Sequence, residues 1–373
     1  MITKNTRIGI VGAGTTGTYL TYLLAKKGYQ VDLFEKYPAP RTDGCGILLI
    51  SPGMQAIHQG NPELCYQLIE KGVPVKTFEF RNFKDDVVNQ EQVEYEDKEI
   101  PGILIHRKAI LESILTYLPA GCLHCNACFS HLEQTEDKVI AYFEDGSHWE
   151  GNLLIGSDGI YSKLRNFVVS DAQLSYLGDI VWRGIVKEDE FCQDGLFLLY
   201  VRSRGVYANF FDIGHGYTHW GFFTEKNREE SEFNLPRPHN IGIPPQELAK
   251  VPQAARKVIE STPNDQIVCN FSYDIDPIPQ LYHGNVLLIG DAAHAKSPSR
   301  ARGMTSGFED ALALSRYLEE GETINEALAK FQAERLPIVH EYQRTSREIS
   351  RKTGRKSIQK NGEKSGQHSA VNV

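Results

Sequence analysis

The chain has 373 residues, of which 41% are hydrophobic and 24% charged, which predicts two or three globular domains with a sizeable core. Its formal net charge is -8, whereas nucleic-acid-binding surfaces are basic, so we expect no nucleic-acid partner. No apolar run is long enough to cross a bilayer and Met1–Arg7 does not resemble a signal peptide, so we expect a cytoplasmic protein with no membrane span.

The N-terminal residues predict a β-α-β unit built around a glycine-rich turn. An apolar strand over residues 7–11 leads into Gly12-Ala13-Gly14-Thr15-Thr16-Gly17, which matches G-x-G-x-x-G. Apolar residues at helical spacing then predict a helix over 16–27, and a second strand over 30–34 ends just before Glu35. This order of elements predicts a dinucleotide-binding fold.

The residues of this turn suit a nucleotide cofactor. Gly12 allows the tight turn, Gly14 lets the backbone approach a pyrophosphate, and Gly17 lets helix and strand pack closely. The helix N-terminus offers free N–H groups to the phosphates, and Glu35 can accept hydrogen bonds from ribose hydroxyls. Because a 2′-phosphate would meet the charge of Glu35, the nucleotide expected here is FAD or NAD and not NADP.

Later segments predict a second sheet and a helical C-terminus. Aromatic-rich strands separated by glycine turns occupy residues 181–224, as in an antiparallel sheet. A helix is expected over 304–320, and Thr323 with Glu326 forms a capping box at the start of a last helix. Pro337 is expected to kink or interrupt that helix.

A cysteine-rich stretch contains Cys122, Cys125 and Cys128, with His124 and His131 close by. No second cysteine-rich run supplies further ligands, and the stretch leads into an alternating strand. We therefore interpret it as a strand with free thiols and expect no metal site.

Two further motifs resemble those of a known enzyme family. The run Gly156–Arg165 (GSDGIYSKLR) resembles the G-A-D-G-x-x-S-x-x-R run of flavoprotein aromatic hydroxylases, and Gly290–His294 (GDAAH) resembles their G-D-A-A-H run. Counterparts of other family residues stand at Gly44, Gly46, Arg107 and Glu309-Asp310-Ala311. From residue 6 to about residue 345 the chain is similar to the single-component FAD monooxygenases, which include para-hydroxybenzoate, salicylate and urate hydroxylases, zeaxanthin epoxidase and tetracycline-inactivating enzymes.

The resemblance implies an α/β protein of the para-hydroxybenzoate hydroxylase fold. Its Rossmann-like FAD-binding domain would carry an inserted antiparallel-sheet substrate domain and a C-terminal helix. The expected boundaries are 1–72, 102–172 and 276–322 for the FAD-binding domain, 73–101 and 173–275 for the substrate domain, 323–351 for the helix, and 352–373 for a disordered tail.

The resemblance also implies which residues bind FAD. Arg107 would lie along the ribityl and phosphate region, and Asp291 would hydrogen-bond the ribityl hydroxyls. Asp158 and Arg165 belong to a motif linked to pyrophosphate and nicotinamide-nucleotide contact. The expected cofactor-binding residues are Gly12, Gly14, Thr15, Gly17, Glu35, Lys36, Arg41, Gly46, Arg107, Asp158, Asp291, Pro298, Gly303, Met304 and Thr305.

The chemistry implied is that of a monooxygenase. NADPH or NADH would dock transiently and reduce the flavin, which would react with O2 to form a C4a-hydroperoxide and then hydroxylate or epoxidise an aromatic or polycyclic small molecule. Arg183, Tyr207 and His219, in the aromatic strands, are the candidate catalytic residues, Arg183 for substrate orientation and the other two for proton exchange. An inert edge-strand position for Arg183, and core or surface positions for Tyr207 and His219, are the alternatives. We expect a monomer or homodimer.

One loop departs from the family pattern. The family usually has Pro-x-Gly-Gly-Gln-Gly-x-Asn where this chain has Pro298-Ser299-Arg300-Ala301-Arg302-Gly303-Met304-Thr305. Arg300 and Arg302 could point outward, could stabilise the reduced flavin or an acidic substrate, or could mark a displaced loop with altered oxygen activation. The alternative functions are therefore a flavoenzyme of the same fold without oxygen insertion (an oxidase, reductase or cyclase) and a non-catalytic flavin-binding protein.

Overall fold

The computed structural model describes residues 2–41, 44–188, 190–202, 205–226 and 242–350. The strands are β1 (Arg7–Val11), β2 (Gln30–Phe34), β3 (Gly46–Leu49), β4 (Val73–Pro74), β5 (Thr77–Arg81), β6 (Val87–Gln92), β7 (Ile103–His106), β8 (Leu123–His124), β9 (Phe129–Gln134), β10 (Val139–Phe143), β11 (His148–Gly151), β12 (Leu153–Gly156), β13 (Leu174–Lys187), β14 (Leu196–Arg202), β15 (Gly205–Asp212), β16 (Tyr217–Glu225), β17 (Val268–Ile275), β18 (Tyr282–His283) and β19 (Val286–Leu288). The helices are α1 (Thr15–Lys26), α2 (Ser51–Gly60), α3 (Pro62–Lys71), α4 (Arg107–Leu115), α5 (Arg165–Val168), α6 (Pro245–Leu248), α7 (Gln253–Glu260), α8 (Asp291–His294), α9 (Arg302–Glu320) and α10 (Ile324–Ser350).

The first large sheet has six strands in the order β18-β19-β12-β1-β2-β8. β1 lies between β12 and β2 and is parallel to both, and β12 is parallel to β19. Ile8, Ile10, Leu154 and Leu287 are fully buried, as expected of a parallel sheet covered on both faces. The predicted Rossmann-like α/β class is confirmed.

The second large sheet has seven strands in the order β17-β13-β16-β15-β14-β5-β6 and is antiparallel except where β14 pairs with β5. Strands from two separate parts of the chain, residues 77–92 and 174–275, therefore share one sheet. A small antiparallel sheet, β3-β7-β4, joins it to the first: Leu104 of β7 packs with Phe78, Phe197 and Phe211 of the seven-stranded sheet.

The two faces of the seven-stranded sheet have different environments. Cross-strand register places Trp182, Trp220 and Phe222 on one face, where they form a core with Val258 of α7. Phe211 lies on the other face, which packs against β7. We call the first the outer face and the second the inner face. Because side chains alternate along a strand, each strand residue is assigned to one face by its register.

The C-terminal helix α10 continues through Pro337, so the expected interruption at this proline is wrong, and a kink there stays a prediction. A proline removes one helical hydrogen bond, but tertiary contacts hold α10 on both sides of it. Arg335 forms two ion pairs with α9 before the proline, and Val339 and Gln343 are buried after it. The predicted disordered tail, 352–373, lies outside the described residues. Within the described ranges no helix is both long and apolar enough to span a membrane.

Gly184 tests the packing of the outer face. A Cβ on Gly184 would lie 2.6 Å from the indole of Trp220, which is fully buried and donates to Thr262 Oγ1 (2.7 Å). We expect Gly184→Ala to lower the free energy of unfolding by about 1–3 kcal/mol, because the indole cannot move aside. Gly242→Ala, where the added Cβ would meet nothing within 4 Å, is the matched control. Equal stability of both variants in urea denaturation would contradict this account.

Candidate active site

The glycine-rich turn forms an open cradle at the N-terminus of α1. Gly12 has φ of +107°, and a Cβ there would lie 2.4 Å from the carbonyl oxygen of Ser157. A Cβ on Gly17 would lie 2.2 Å from the carbonyl oxygen of Gly12. A Cβ on Gly14, in contrast, would meet nothing within 4 Å. Because the first turn of a helix leaves its N–H groups unpaired, this space beside Gly14 and Thr15 suits a pyrophosphate.

Glu35 ends the second strand with its carboxylate beside the turn. The side chain is buried, Oε2 accepts the N–H of Ala13 (3.1 Å), and Oε1 accepts the N–H of Tyr37 (3.1 Å). Each oxygen keeps a second lone pair that a ribose hydroxyl can use. Lys36 Nζ and Arg41 Cζ lie 5.1 and 4.9 Å from the centre of the Tyr37 ring, at the surface next to this carboxylate.

Residues 156–165 connect the glycine-rich turn to the turn at residues 290–294 through hydrogen bonds. Ser157 Oγ donates to the carbonyl oxygen of Gly12 (2.8 Å). The buried guanidinium of Arg165 donates to the carbonyl oxygens of Ile160 (3.0 Å) and Asp291 (2.9 Å). Three stretches far apart in sequence therefore meet at one place, and Arg165 acts through the backbone that it positions.

The two motif aspartates differ in environment. Asp158 Oδ2 accepts the N–H of Lys163 (2.8 Å), while its Oδ1 is buried with no hydrogen-bond partner among the described residues. Burial raises the pKa of Asp158 above its usual value, although its hydrogen bonds oppose the shift. Asp291 begins α8 and is exposed, so its carboxylate is available to a cofactor hydroxyl.

The departing loop, residues 298–305, turns its arginines toward α10. Arg302 Nη1 donates to Tyr342 (3.3 Å), and its guanidinium carbon lies 4.7 Å from the centre of that ring. The pKa of Glu341 is lowered mainly by its hydrogen bond with Arg344 and also by the charge of Arg300. This geometry favours the interpretation in which the two arginines face away from the cofactor and secure the loop to α10.

The rest of the loop lies beside Asp291. A Cβ on Gly303 would have Asp291 Oδ1, at 4.0 Å, as its nearest neighbour. Pro298 is exposed, Met304 is partly buried, and Thr305 is fully buried with its hydroxyl donating to Ala301 O (3.3 Å).

Arg107 and Gly46 lie where the first domain meets the inner face. Arg107 donates its backbone N–H to Cys45 O (3.2 Å), and a Cβ on Gly44 would lie 3.3 Å from Arg107 Cβ. Gly46 donates its N–H to His219 Nδ1 (3.1 Å), and a Cβ on Gly46 would lie 2.5 Å from His219 Cβ. Arg107 and the segment 44–46 therefore form a wall opposite the seven-stranded sheet.

His219 is a buried neutral imidazole on the inner face. Burial, reinforced by the charge of Arg183, lowers its pKa well below the usual value. Because Nδ1 accepts the Gly46 N–H, the neutral ring carries its proton on Nε2. The contact shows a positioning role toward Gly46, and a role in proton exchange stays a prediction.

Arg183 shares the inner face with His219, whereas Tyr207 does not. Register aligns Arg183 with Gly221 and Gly221 with Asn209 across three strands. Tyr207 packs in the outer core against Phe222 and donates its hydroxyl to Glu247. The structure therefore brings Arg183 and His219 together and leaves Tyr207 on the opposite side of the sheet.

Asn209 is a candidate that sequence reasoning missed. Its Oδ1 is buried without a partner among the described residues, and it would lie 2.6 Å from a Cβ on Gly221. The available signal was an amide in the otherwise apolar run Val206-Tyr207-Ala208-Asn209-Phe210-Phe211. Because a buried polar atom without a partner is costly, this oxygen is a candidate acceptor for a substrate donor.

An open cavity of about 630 Å³ separates the inner face from α4. It is bounded by Cys45 and His106 on one side and by Arg183 and Tyr217 on the other. Its charged lining residues are Lys71, Lys108, Glu112 and Arg183, so cations outnumber carboxylates. Lys108 Nζ lies 3.7 Å from Glu112 Oε1 and Lys71 donates to Ser113 Oγ (2.7 Å), whereas the side chain of Arg183 has no ion pair or hydrogen bond among the described residues.

These observations fit FAD. The cradle beside Gly14 and the carboxylate of Glu35 match an ADP half, while Asp291 and Gly303 line the path along which the remaining half would extend. The described ranges contain no group of three or more His, Cys, Asp or Glu side chains that could hold a metal ion.

The two glycines at either end of helix α1's first turn make a matched test of the cradle. Gly14→Ala adds a methyl group to open space, so we expect the apoprotein to stay within about 1 kcal/mol of wild-type stability. The same methyl group enters the pyrophosphate space, so the dissociation constant for FAD should rise by about tenfold or more.

Gly17→Ala should instead destabilise the apoprotein by about 2 kcal/mol or more, because its Cβ meets the Gly12 carbonyl. Flavin fluorescence titration and urea denaturation measure both quantities, and unchanged FAD affinity in Gly14→Ala would refute the cradle.

Tyr207 provides a test of the sheet faces. Tyr207→Phe removes the hydrogen bond to Glu247 on the outer face and should cost about 1 kcal/mol of stability. We expect substrate-stimulated NAD(P)H oxidation to remain within about twofold of wild type. A large loss of turnover in a stably folded Tyr207→Phe protein would return this residue to the catalytic group.

Comparisons with known proteins find similar proteins along most of the chain. Residues 10–62 match the model of an NAD(P)-binding Rossmann-like domain, and residues 278–346 match that of an FAD binding domain. The chain is 28% identical to 3-amino-4-hydroxybenzoate 2-monooxygenase of Streptomyces cremeus, covering 94% of this chain and 88% of that protein. It is also 28% identical to a salicylate hydroxylase of Pseudomonas putida, covering 92% and 85%.

Solved structures show the same fold. Klebsiella pneumoniae HpxO complexed with FAD and uric acid superposes with a TM-score of 0.82 at 21% identity, covering 92% of this chain and 88% of that one. Relatives match along most of the chain and three motifs meet around one cofactor cradle, and the chain is similar to FAD-dependent aromatic hydroxylases and monooxygenases.

Proposed function

We propose that this FAD-dependent, NAD(P)H-using monooxygenase hydroxylates or epoxidises an aromatic small molecule that carries an anionic group. The observation that carries the substrate class is Arg183. Its guanidinium lines the cavity on the inner face, and no described residue pairs with it. A carboxylate or phenolate would supply the missing partner, in the bidentate geometry that a guanidinium favours.

The proposed mechanism divides the work between cofactor and chain. FAD, once bound and reduced by NAD(P)H, supplies the activation of O2 and the transfer of one oxygen atom. Arg183 would bind the substrate anion, and Asn209 would accept a hydrogen bond from a hydroxyl or amino group on the same molecule. Gly221 lies between them in register, and the Asn209 amide occupies the space that a Gly221 side chain would fill.

The surrounding residues would hold the substrate and exclude water. Ile185, Phe211 and Ile213 give the inner face an apolar surface next to the polar groups. His219 is neutral and engaged with Gly46, so it would hold the wall of the chamber in place rather than carry charge. An open cavity in which cations outnumber carboxylates favours an anionic aromatic ring over a neutral one.

Oxygen labelling tests the reaction class. The purified holoprotein would be given NADH or NADPH under 18O2 with a panel of hydroxylated and carboxylated aromatics, and the products analysed by mass spectrometry. One labelled oxygen per product and one NAD(P)H consumed would support a monooxygenase. Product formed without label would favour an oxidase, reductase or cyclase, and bound flavin without any substrate-stimulated turnover would favour a non-catalytic flavin protein.

Arg183→Met tests the substrate class. Loss of the charge-assisted contact should raise KM for carboxylated aromatics by roughly 10- to 100-fold. FAD affinity should stay unchanged, because Arg183 lies outside the cradle. Arg183→Lys should restore part of the affinity, and Tyr207→Phe is the control on the outer face of the same sheet. An unchanged KM in Arg183→Met would refute the anionic substrate class and leave the monooxygenase reaction standing.

A cytoplasmic location and a monomeric or homodimeric state complete this proposal. Fractionation and light scattering of the purified protein test them directly.

A further inference from the structure

A buried charged cluster lies behind the Gly290-Asp291 turn. Asp310 of α9 accepts hydrogen bonds from His294 Nε2 (2.6 Å), from the N–H of Gly290 (2.9 Å) and from Arg335 Nε (2.8 Å). Lys296 Nζ lies 2.8 Å from His294 Nδ1. Lysine at this place belongs to none of the motifs that identify the family, and sequence reasoning passed over it.

The hydrogen bonds determine the charge on each member. A protonated Lys296 can only donate, so His294 Nδ1 accepts and His294 donates from Nε2 to Asp310. Burial and the charge of Lys296 lower the pKa of His294, consistent with a neutral ring. Although burial opposes ionisation, His294 and Arg335 hold the pKa of Asp310 well below its usual range.

The two cations of the cluster are compensated differently. Arg335 is paired directly with Asp310 and with Glu309, each at 2.8 Å. Lys296 is buried, yet its ammonium group contacts the neutral His294 and the hydroxyl of Ser306, each at 2.8 Å. Among the described residues, no carboxylate lies within ion-pair distance of its ammonium group. A buried ammonium group that contacts only neutral groups is energetically unfavourable unless a nearby negative charge compensates it.

The position of Lys296 indicates where that charge would be. Ser306 is in the first turns of α9, whose N-terminus is the positive end of the helix dipole. A Cβ on Gly290 would lie 3.1 Å from Thr16 Oγ1 and one on Gly307 only 2.1 Å from it, so the N-terminal ends of α1, α8 and α9 converge. A dinucleotide whose pyrophosphate lies at α1 must extend past Asp291 and Gly303 toward the N-terminus of α9.

We propose that Lys296 is a positioning residue whose buried positive charge, added to the N-terminus of α9, stabilises the negative charge that FAD gains on reduction. It acts without contacting the substrate, through its placement behind the first turn of α9, which contains Gly303 and Met304. The proposal rests on the FAD-dependent function above, and it assigns to Lys296 the electrostatic role that the sequence left open for Arg300 and Arg302.

The charge of Lys296 changes within a pH range in which the flavin potential can be measured. Burial lowers the pKa of Lys296 to about 8, while Asp291, Asp310 and Glu309 raise it and Arg335 lowers it. Reduction adds negative charge nearby and therefore raises this pKa further. Between the lower pKa of the oxidised protein and the higher one of the reduced protein, reduction takes up one extra proton. The midpoint potential should therefore fall more steeply with pH above about pH 8.

The first experiment uses wild-type holoprotein. Its flavin midpoint potential would be measured by anaerobic dye equilibration from about pH 6.5 to about pH 9.5, which spans the expected pKa. A steeper slope above about pH 8 supports the proposal. A straight line through that range overturns it, and this result does not depend on the folding of any variant.

The second experiment separates charge from packing. Lys296→Met keeps the length of the side chain without its charge, so it should weaken the binding of reduced FAD relative to oxidised FAD by about tenfold at neutral pH and abolish the change of slope. Lys296→Arg, which stays charged throughout, should keep the wild-type ratio at neutral pH and also lack the change of slope. Ser306→Ala removes a hydrogen-bond partner but no charge, and should keep both the ratio and the change of slope. Lys138→Met removes an exposed lysine and should behave as wild type.

The outcomes distinguish this inference from the proposed function. A wild-type protein that binds no FAD would end both. A protein that binds FAD and incorporates oxygen, but whose Lys296→Met variant keeps the wild-type ratio, would refute only the role of Lys296. A ratio that falls equally in Ser306→Ala and Lys296→Met would show that packing, rather than charge, is responsible, and would also refute it.

Discussion

The buried guanidinium of Arg165 is the interaction on which the arrangement of the site depends. It donates to backbone carbonyls of its own loop and of the turn at Asp291, while Ser157 of the same motif donates to Gly12. All of these acceptors are backbone carbonyl oxygens, whose positions depend little on the local side chains. Residues 156–165 can therefore hold the glycine-rich turn and the turn at Asp291 in fixed positions. The cofactor cradle is thus assembled from three distant parts of the chain.

Close packing of two glycines against neighbouring backbone atoms is a second constraint on the shape of the cradle. Gly12 and Gly17 admit no Cβ, whereas Gly14 faces open space. The same residue type thus serves two purposes within six positions: contact between elements, and room for a ligand. Three helix N-termini then converge through Thr16, which concentrates positive potential where an anionic cofactor would lie.

The seven-stranded sheet separates stability from chemistry by its two faces. The outer face packs large aromatic rings against α7, and the inner face carries Arg183, Asn209 and His219, of which Arg183 lines the cavity. The Arg183 guanidinium has no partner among the described residues, which is tolerable because the cavity next to it admits a ligand or water. Lys296 is also without an ion-pair partner among the described residues, and its ammonium group is buried beside neutral groups near the N-terminus of α9.

The sequence by itself determined the fold class, the glycine-rich turn with Glu35, the two further motifs and the resemblance to flavoprotein hydroxylases, because each of these is a local pattern of spacing and backbone conformation. Only the tertiary structure decided the rest. Tyr207 and Arg183 are both in aromatic strands, and cross-strand register with a bulge in β15 put them on opposite faces. Arg302 faces Tyr342 of α10, which is forty residues away in sequence, and α10 continues through Pro337 because ion pairs with α9 hold it. Asn209 and Lys296 could not be identified from the sequence. Asn209 is distinguished by a buried oxygen without a hydrogen-bond partner among the described residues, and Lys296 by an ammonium group buried beside neutral partners. Both properties exist only once distant elements have packed around these residues.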